Sequence, residues 1–127
     1  MQIFRIKNKY IYRKSKKDKH KYNGDGYHDY IGFYSSEDSK WKLIGLTHVL
    51  DPKRQKQIMR KDIKIMTFKA YRTPNGVDIP SGVNKKIITS DVNGDPIKLK
   101  RIEATSVKNG KLTKTQAHAV AKFAKLK

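Results

Sequence analysis

The chain has 127 residues, a length typical of one domain (residues 1–127), and it contains no Cys. The lack of Cys excludes disulfides, thiolate catalysis and zinc–thiolate sites. The four His are scattered without the spacing of metal ligands, so we expect neither a metal nor another cofactor. No apolar run reaches the length of a signal peptide or of a membrane span, which predicts a cytoplasmic protein without a membrane partner.

The charge of the chain indicates the class of its partner. Lys and Arg number 30 against 11 Asp and Glu, so the formal net charge is +19, whereas solubility needs a net charge of only roughly 2 to 8. A polyanion relieves such self-repulsion, because Lys and Arg release condensed counterions when they neutralise phosphates. A nucleic acid, and RNA first, is therefore predicted ahead of a well-solvated surface, a membrane surface or an acidic protein.

The first elements in chain order are a strand and a basic loop. Ile, Phe and Tyr interleaved with Lys and Arg predict a strand over Gln2–Tyr12. Six of the nine residues in 13–21 are Lys or Arg, which predicts an exposed loop or arm. We expect this loop to hold the RNA backbone while nearby Tyr rings stack on bases, and the candidate residues are Lys16, Lys17, Lys19, Lys21, Tyr22 and Tyr27. A solvated arm without a ligand is the alternative.

A β-hairpin and a short helix come next. His28–Tyr34 and Trp41–Thr47 are apolar-rich runs on either side of a polar turn, which predicts two antiparallel strands. Asp51 as an N-cap and Pro52 at the first helical position then predict a short helix.

The second half of the chain predicts more strands and a final helix. The strands are expected at Asp62–Tyr71, Lys85–Ser90 and Pro96–Ala104, and the turns at 73–76, 80–82 and 92–95. Thr113 and Gln116 form a capping box that begins the helix, whose apolar stripe contains Val120, Phe123 and Ala124. The order of elements predicts an α+β fold: a small curved antiparallel sheet or half-open barrel with a short helix and a C-terminal helix.

The end of the second hairpin strand carries residues suited to RNA cleavage. Thr47 offers a hydroxyl, His48 a group that titrates near neutrality, and Lys53 and Arg54 two cations. Cleavage without a metal needs a base for the ribose hydroxyl, an acid for the leaving oxygen and donors for the phosphoryl oxygens. His28 opens the first hairpin strand, and antiparallel pairing brings it beside this end. The alternative is that His48 is a surface histidine closing a hairpin.

These motifs resemble the toxin ribonucleases of the PemK/MazF-like fold, and most of all the type III toxins such as ToxN and AbiQ. The matching segments are HDYIGFY from His28, GLTH ending in Thr47 and His48, and the Gly-Lys-Leu turn before Thr113. The resemblance implies a half-open barrel and a metal-independent endoribonuclease that leaves a cyclic phosphate. It also implies catalytic roles for Thr47, His48, Lys53 and His28, and an RNA or protein antitoxin as partner. The chain departs from the MazF type in having His28-Asp29 in place of Arg-Pro.

Two other functions fit the sequence. A non-catalytic RNA- or DNA-binding protein of a phage or plasmid needs only the charge, the Tyr residues and a sheet, and it is favoured by charge spread over the whole chain. An inhibitor that sits on a ribonucleoprotein is the third interpretation. The sequence does not decide the oligomeric state.

Overall fold

The computed structural model describes residues 1–11, 26–48 and 63–125. The elements in these ranges are β1 (Gln2–Lys7), α1 (Asn8–Ile11), β2 (Tyr27–Ser35), β3 (Lys40–His48), β4 (Ile63–Arg72), β5 (Asp78–Ile88), β6 (Thr105–Lys111) and α2 (Lys114–Phe123). The strands form one antiparallel six-stranded sheet in the order β4-β5-β3-β2-β1-β6. The sheet curls into a half-barrel, so the predicted α+β fold with a curved sheet is confirmed.

Alternation of side chains along the strands gives the sheet two packed faces. The inner face holds the larger hydrophobic cluster, to which α2 contributes; it contains Ile3, Ile31, Ile44, Leu46, Phe68, Val83, Leu112, Val120 and Ala124. The outer face holds a second cluster of Phe4, Ile6, Tyr30, Leu43, Ile97 and Ile102. Arg5 follows Ile3 by two residues on β1 and therefore lies on the inner face. Asp29 precedes Ile31 by two residues on β2 and lies on the same face.

The locally encoded elements agree with the sequence predictions. The hairpin of β2 and β3 pairs in the expected antiparallel manner, and β4 covers the predicted strand over 62–71 within one residue at each end. The helix α2 has Thr113 as its N-cap, with both hydrogen bonds of the capping box to Gln116. The Gln116 side chain also donates to the Thr67 carbonyl at 2.9 Å, which fixes α2 to β4. The predicted helix after Asp51 and the basic loop 13–21 lie outside the described residues.

Two predicted boundaries are wrong: the end of the first strand and the turn at 80–82. The first strand ends at Lys7, and Asn8 begins the one-turn helix α1. Asn disfavours a strand, and here its backbone N–H donates to the Gly26 carbonyl at 2.9 Å. The expected turn at 80–82 lies inside β5, where Pro80 pairs with Thr67 next to an irregularity in the ladder. Pro is tolerated beside such an irregularity because its missing N–H breaks no regular bond.

The segment before α2 also differs from the prediction. Pro96 and Ile97 make isolated bridges, and residues 99–103 form turns instead of a strand. One of these turns places Glu103 at φ 50°. The expected turn at 109–112 is largely the end of a strand that the sequence analysis missed, β6. Asn109 has φ 58°, and the β1–β6 register shifts beside it. A Cβ on Gly110 would lie 2.7 Å from the Val107 carbonyl oxygen, so only Gly allows this irregular strand to continue.

Candidate functional site

A cleft opens where β2 and β3 separate. Their ladder runs from the Ser35–Lys40 pair to the Tyr30–Gly45 pair. Beyond that pair β2 follows β1 as far as Tyr27, and β3 follows β5 as far as His48. The cleft between them has a volume of about 510 Å³ and is lined by Arg5, Tyr27, His28, Asp29, Leu46 and Thr47.

The cleft brings together part of the predicted site. His28, Thr47 and Tyr27 line it, so the expected proximity of His28 to the end of β3 is found. His48 is the last residue of β3 and pairs with Ser81 of β5. The grouping of Thr47 with His48 and Lys53 stays a prediction. The predicted site residues that lie outside the described ranges are Lys16, Lys17, Lys19, Lys21, Tyr22, Lys53 and Arg54.

The His28 imidazole is oriented by Asn8. The Nδ1 atom of His28 lies 2.5 Å from Oδ1 of Asn8, a residue that is buried at the start of α1. With the Asn8 amide oxygen as acceptor, Nδ1 is the donor, and in this tautomer of the neutral ring Nε2 is the basic nitrogen. The ring itself is exposed at the cleft. The His28 ring is thus held by Asn8 and reaches solvent, an arrangement suited to proton transfer.

Arg5 and Asp29 form the charged wall of the cleft. Arg5 Nε and Nη2 donate to the two Asp29 carboxylate oxygens at 2.9 and 3.3 Å, and the Tyr71 hydroxyl of β4 donates to Oδ2. The Asp29 side chain is 3% exposed, whereas that of Arg5 is 53% exposed. The hydrogen bond and the charge of Asp29 raise the pKa of Arg5. Burial is the main cause of the raised pKa of Tyr71, and the bond to Asp29 adds to it.

This arrangement leaves one edge of the guanidinium for a ligand. Arg5 Nη1 makes no hydrogen bond or ion pair with any residue of the described ranges. Asp29 therefore neutralises Arg5 and at the same time fixes its plane, so that Arg5 acts as an oriented donor and adds little net charge to the cleft.

Sequence reasoning missed Arg5, Asp29, Asn8 and Tyr71. A signal for two of them was present: Arg5 follows Ile3 by two positions, and Asp29 precedes Ile31 by two, so each is a charged residue at a core-facing position of a strand. Buried charges are usually paired, and this would have suggested an ion pair. Asn8 and Tyr71 carry no such signal, because their roles depend on α1 and on the curl of the sheet.

Other parts of the molecule offer less chemistry. A second cavity, of about 520 Å³, lies on the outer face beside Tyr30 and 84–94, but its buried acid, Asp91, accepts the backbone N–H groups of Asn93 and Asp95 in a turn. The described ranges contain no cluster of three His, Cys, Asp or Glu side chains. Within those ranges no helix has the length and apolarity needed to cross a membrane.

No protein-family model, no curated protein and no solved structure matches this chain. The resemblance to PemK/MazF-like ribonucleases therefore stays a prediction based on short motifs. The motif GLTH does end a strand at His48, whereas the residues before Thr113 end β6 in place of the expected turn.

Proposed function

We propose that this protein binds RNA in the cleft between β2 and β3 and cleaves it without a metal, through attack of the ribose 2′-hydroxyl on the adjacent phosphate. One observation carries the proposal: His28, oriented by Asn8, lines the same cleft as Thr47 and the exposed part of Arg5. The net charge of +19 supports a polyanionic substrate.

Each residue has a role that follows from its geometry. Neutral His28 accepts the 2′-hydroxyl proton at Nε2. The 2′-oxygen then bonds to phosphorus, the bond to the 5′-oxygen breaks, and a cyclic phosphate remains. Arg5 Nη1 and the Thr47 hydroxyl donate to the phosphoryl oxygens as charge develops on them. The leaving 5′-oxygen takes up a proton, and His48 is the predicted donor.

Tyr27 supplies a surface for a base. Its side chain is exposed by 56% at the rim of the cleft, next to His28. An exposed aromatic ring stacks on unpaired bases whatever their identity. The substrate favoured by this rim is therefore single-stranded RNA or a loop with splayed bases.

The test is cleavage of total RNA by purified protein in EDTA, with analysis of the product ends. We expect a cyclic phosphate, and we expect His28→Gln to lower the rate by about a hundredfold to ten-thousandfold, the usual contribution of proton transfer. His118→Gln is the matched control, because His118 is exposed on α2. Undiminished cleavage by His28→Gln would contradict the assignment.

A second candidate function is RNA or DNA binding without catalysis. It is favoured by the spread of exposed lysines over strands on both sides of the sheet and over α2, at Lys64, Lys69, Lys86, Lys108, Lys111, Lys114 and Lys122. Binding by the wild type without cleavage of any RNA would select this function. The toxin role and an antitoxin partner, which the resemblance implies, stay predictions; growth arrest that requires His28 would support them.

A further inference from the structure

The cavity on the outer face results from a break in the β3–β5 ladder. Ile44 pairs with Ile87 and Leu46 with Val83, so Gly45 alone stands opposite residues 84–86. The longer strand bends away at such a bulge, which leaves a volume of about 520 Å³, within the usual range of small-molecule sites. We call this space the outer cavity, and the residues that line it include Tyr30, Gly45, Asn84, Lys86 and Asp91.

Gly45 gives the outer cavity a bare floor. Apart from its chain neighbours, no heavy atom lies closer than 4.0 Å to the place where a Cβ on Gly45 would stand, and the φ of Gly45 is not in the left-handed region. Neither space nor backbone conformation therefore requires glycine here. A glycine inside a strand often marks the close approach of a ligand to the backbone. Tyr30 pairs with Gly45 and bounds the floor, so the site suits a planar ring.

Asp91 provides an acceptor in the wall of the outer cavity. The residue is 8% exposed, and its Oδ1 accepts the backbone N–H groups of Asn93 and Asp95 at 2.9 and 3.1 Å. Oδ2 makes no hydrogen bond or ion pair with any residue of the described ranges. The N–H of Val92 donates to the Tyr10 carbonyl at 2.7 Å, which fixes this loop. A buried carboxylate oxygen is costly without a donor, so an N–H group of a ligand is favoured here.

Asn84 and Lys86 add two further polar groups to the lining. The Asn84 amide can both donate and accept hydrogen bonds. Lys86 is exposed, and it makes no ion pair with a described residue. The apolar side chain of Ile11 lines the same space. The outer cavity thus combines a flat floor, an acceptor, an amide and a cation beside apolar surface.

We propose that the outer cavity binds a nucleotide whose base carries an exocyclic amino group, that is cytosine, adenine or guanine. The base lies over Gly45, its amino group donates to Asp91, and its phosphate pairs with Lys86. Carboxylates read such amino groups in known base contacts. The inference goes beyond the cleavage proposed for the cleft and does not depend on it.

Other small ligands satisfy only part of this lining. An inorganic anion pairs with Lys86 but is repelled by Asp91 and leaves the floor empty. An organic cation pairs with Asp91 but is repelled by Lys86 and by the net charge of +19. A nucleotide alone among these ligands offers a planar ring, N–H donors at the edge of that ring and a phosphate.

Cytidine and uridine 5′-monophosphates are matched probes. Cytosine presents an amino group where uracil presents a carbonyl oxygen. We expect the cytidine nucleotide to shift the backbone amide resonances of Asp91 and Gly94, which both line the outer cavity. Its affinity should exceed that of the uridine nucleotide by about five- to a hundredfold, the usual discrimination by a good contact to a base edge. Equal affinity of the two nucleotides, or no shift with the cytidine nucleotide, would overturn the inference.

The Asp91→Asn variant isolates the contact to the amino group. Its amide oxygen can still accept the N–H groups of Asn93 and Asp95, so the turn should persist. An NH₂ donor replaces the second carboxylate oxygen, and we expect the preference for the cytidine nucleotide to disappear or to reverse. A preference that survives unchanged in the folded variant would contradict the proposed contact.

Gly45→Ala tests the floor. The protein has room for this Cβ, so the variant should fold. The added methyl group takes up space that the base needs, and we expect the affinity for the cytidine nucleotide to fall by about five- to a hundredfold. Unaltered affinity would show that the base does not lie over Gly45.

Lys86→Gln tests the cation. It should weaken binding of the cytidine nucleotide and leave the affinity for cytidine, which has no phosphate, unchanged. Lys100→Gln is the matched control, because Lys100 is exposed in the turn over 99–103 and does not line the outer cavity. Equal effects of the two substitutions would reject the contact between Lys86 and the phosphate.

The nucleotide is either free or part of a nucleic acid strand, and an oligodeoxycytidylate separates these sources, since it lacks the 2′-hydroxyl and is not cleaved by the proposed chemistry. A shift of the Asp91 and Gly94 amides by both ligands would assign the site to a nucleotide within a strand, and a shift by the mononucleotide alone to a free nucleotide. Cleavage of RNA without these shifts would reject the outer cavity as a site and leave the cleft standing. Shifts without cleavage would reject the catalysis and leave the outer cavity standing.

Discussion

Arg5 and Asp29 face each other across β1 and β2, with Arg5 Nε 2.9 Å from Asp29 Oδ1. The pair lies on the inner face next to Ile3 and Ile31, which also pair with each other. One partner is buried and the other reaches the cleft. The pair therefore joins the core of the half-barrel to the candidate site, and its loss should affect both stability and the position of the guanidinium.

Removing the charge of Asp29 should destabilise the fold. In Asp29→Asn the amide replaces an acceptor of bonds from Arg5 and Tyr71, and we expect the free energy of unfolding to fall by about 1–3 kcal/mol. Urea denaturation measures this change. The control is Asp78→Asn, which breaks the exposed pair with Arg72 and should cost less than about 1 kcal/mol. An equal effect of the two substitutions would show that the burial of Asp29 does not matter.

Tyr71 should keep its proton at a pH where ordinary tyrosines ionise. Burial and the bond to Asp29 raise its pKa above the ordinary value of 10.0. The stabilisation that this hydroxyl provides is thus complete below about pH 10, and it is lost as the pH rises further, because the unfolded chain releases the proton first.

Absorbance of tyrosinate gives the measurement for Tyr71. The titration of the folded wild type and of Tyr71→Phe should have the same amplitude near pH 10, since Tyr71 contributes nothing there. The control is the same comparison in urea, where both chains are unfolded and Tyr71→Phe should lose the absorbance of one tyrosinate near pH 10. A smaller absorbance change near pH 10 in folded Tyr71→Phe than in the folded wild type would mean that the Tyr71 hydroxyl ionises normally.

Asn8 should act on catalysis through His28. Asn8→Ala removes the hydrogen-bond partner of His28 Nδ1, so the ring loses the contact that orients it, and we expect kcat to fall by about tenfold or more while KM stays the same. Asn8→Asp keeps an acceptor and should restore most of the rate. A rise in KM alone, or equal loss in both variants, would argue that Asn8 only supports the fold.

Binding of RNA should depend steeply on salt. At a net charge of +19, contacts to about six or more phosphates weaken affinity by roughly a thousandfold between about 50 and 200 mM salt. Titration of a labelled single-stranded RNA at several salt concentrations measures the slope. Replacing Lys16, Lys17, Lys19 and Lys21 by Gln should make the slope shallower without loss of stability. A flat profile for the wild type would remove the electrostatic basis of the proposal.

Local sequence patterns were sufficient for the hairpin and for α2. The alternating runs on either side of a polar turn define β2 and β3, and the capping box of Thr113 and Gln116 defines the start of α2. These patterns involve residues close together in the chain, so they predict the elements without knowledge of the tertiary structure. These patterns did not define β6. A turn was expected at Asn109–Gly110, whereas both residues lie in a strand that pairs with β1.

The charge of the chain is determined by its sequence alone, and so is the prediction of a polyanionic partner. The site is decided by tertiary structure. Arg5 and Asp29 are 24 residues apart, and Asp29 and Tyr71 are 42 apart, so their meeting depends on the register of β1 with β2 and on the curl that brings β4 over the inner face. The cleft likewise depends on tertiary structure, because β2 and β3 separate where β2 continues along β1 and β3 continues along β5. No pattern in the sequence of either strand specifies where that separation begins.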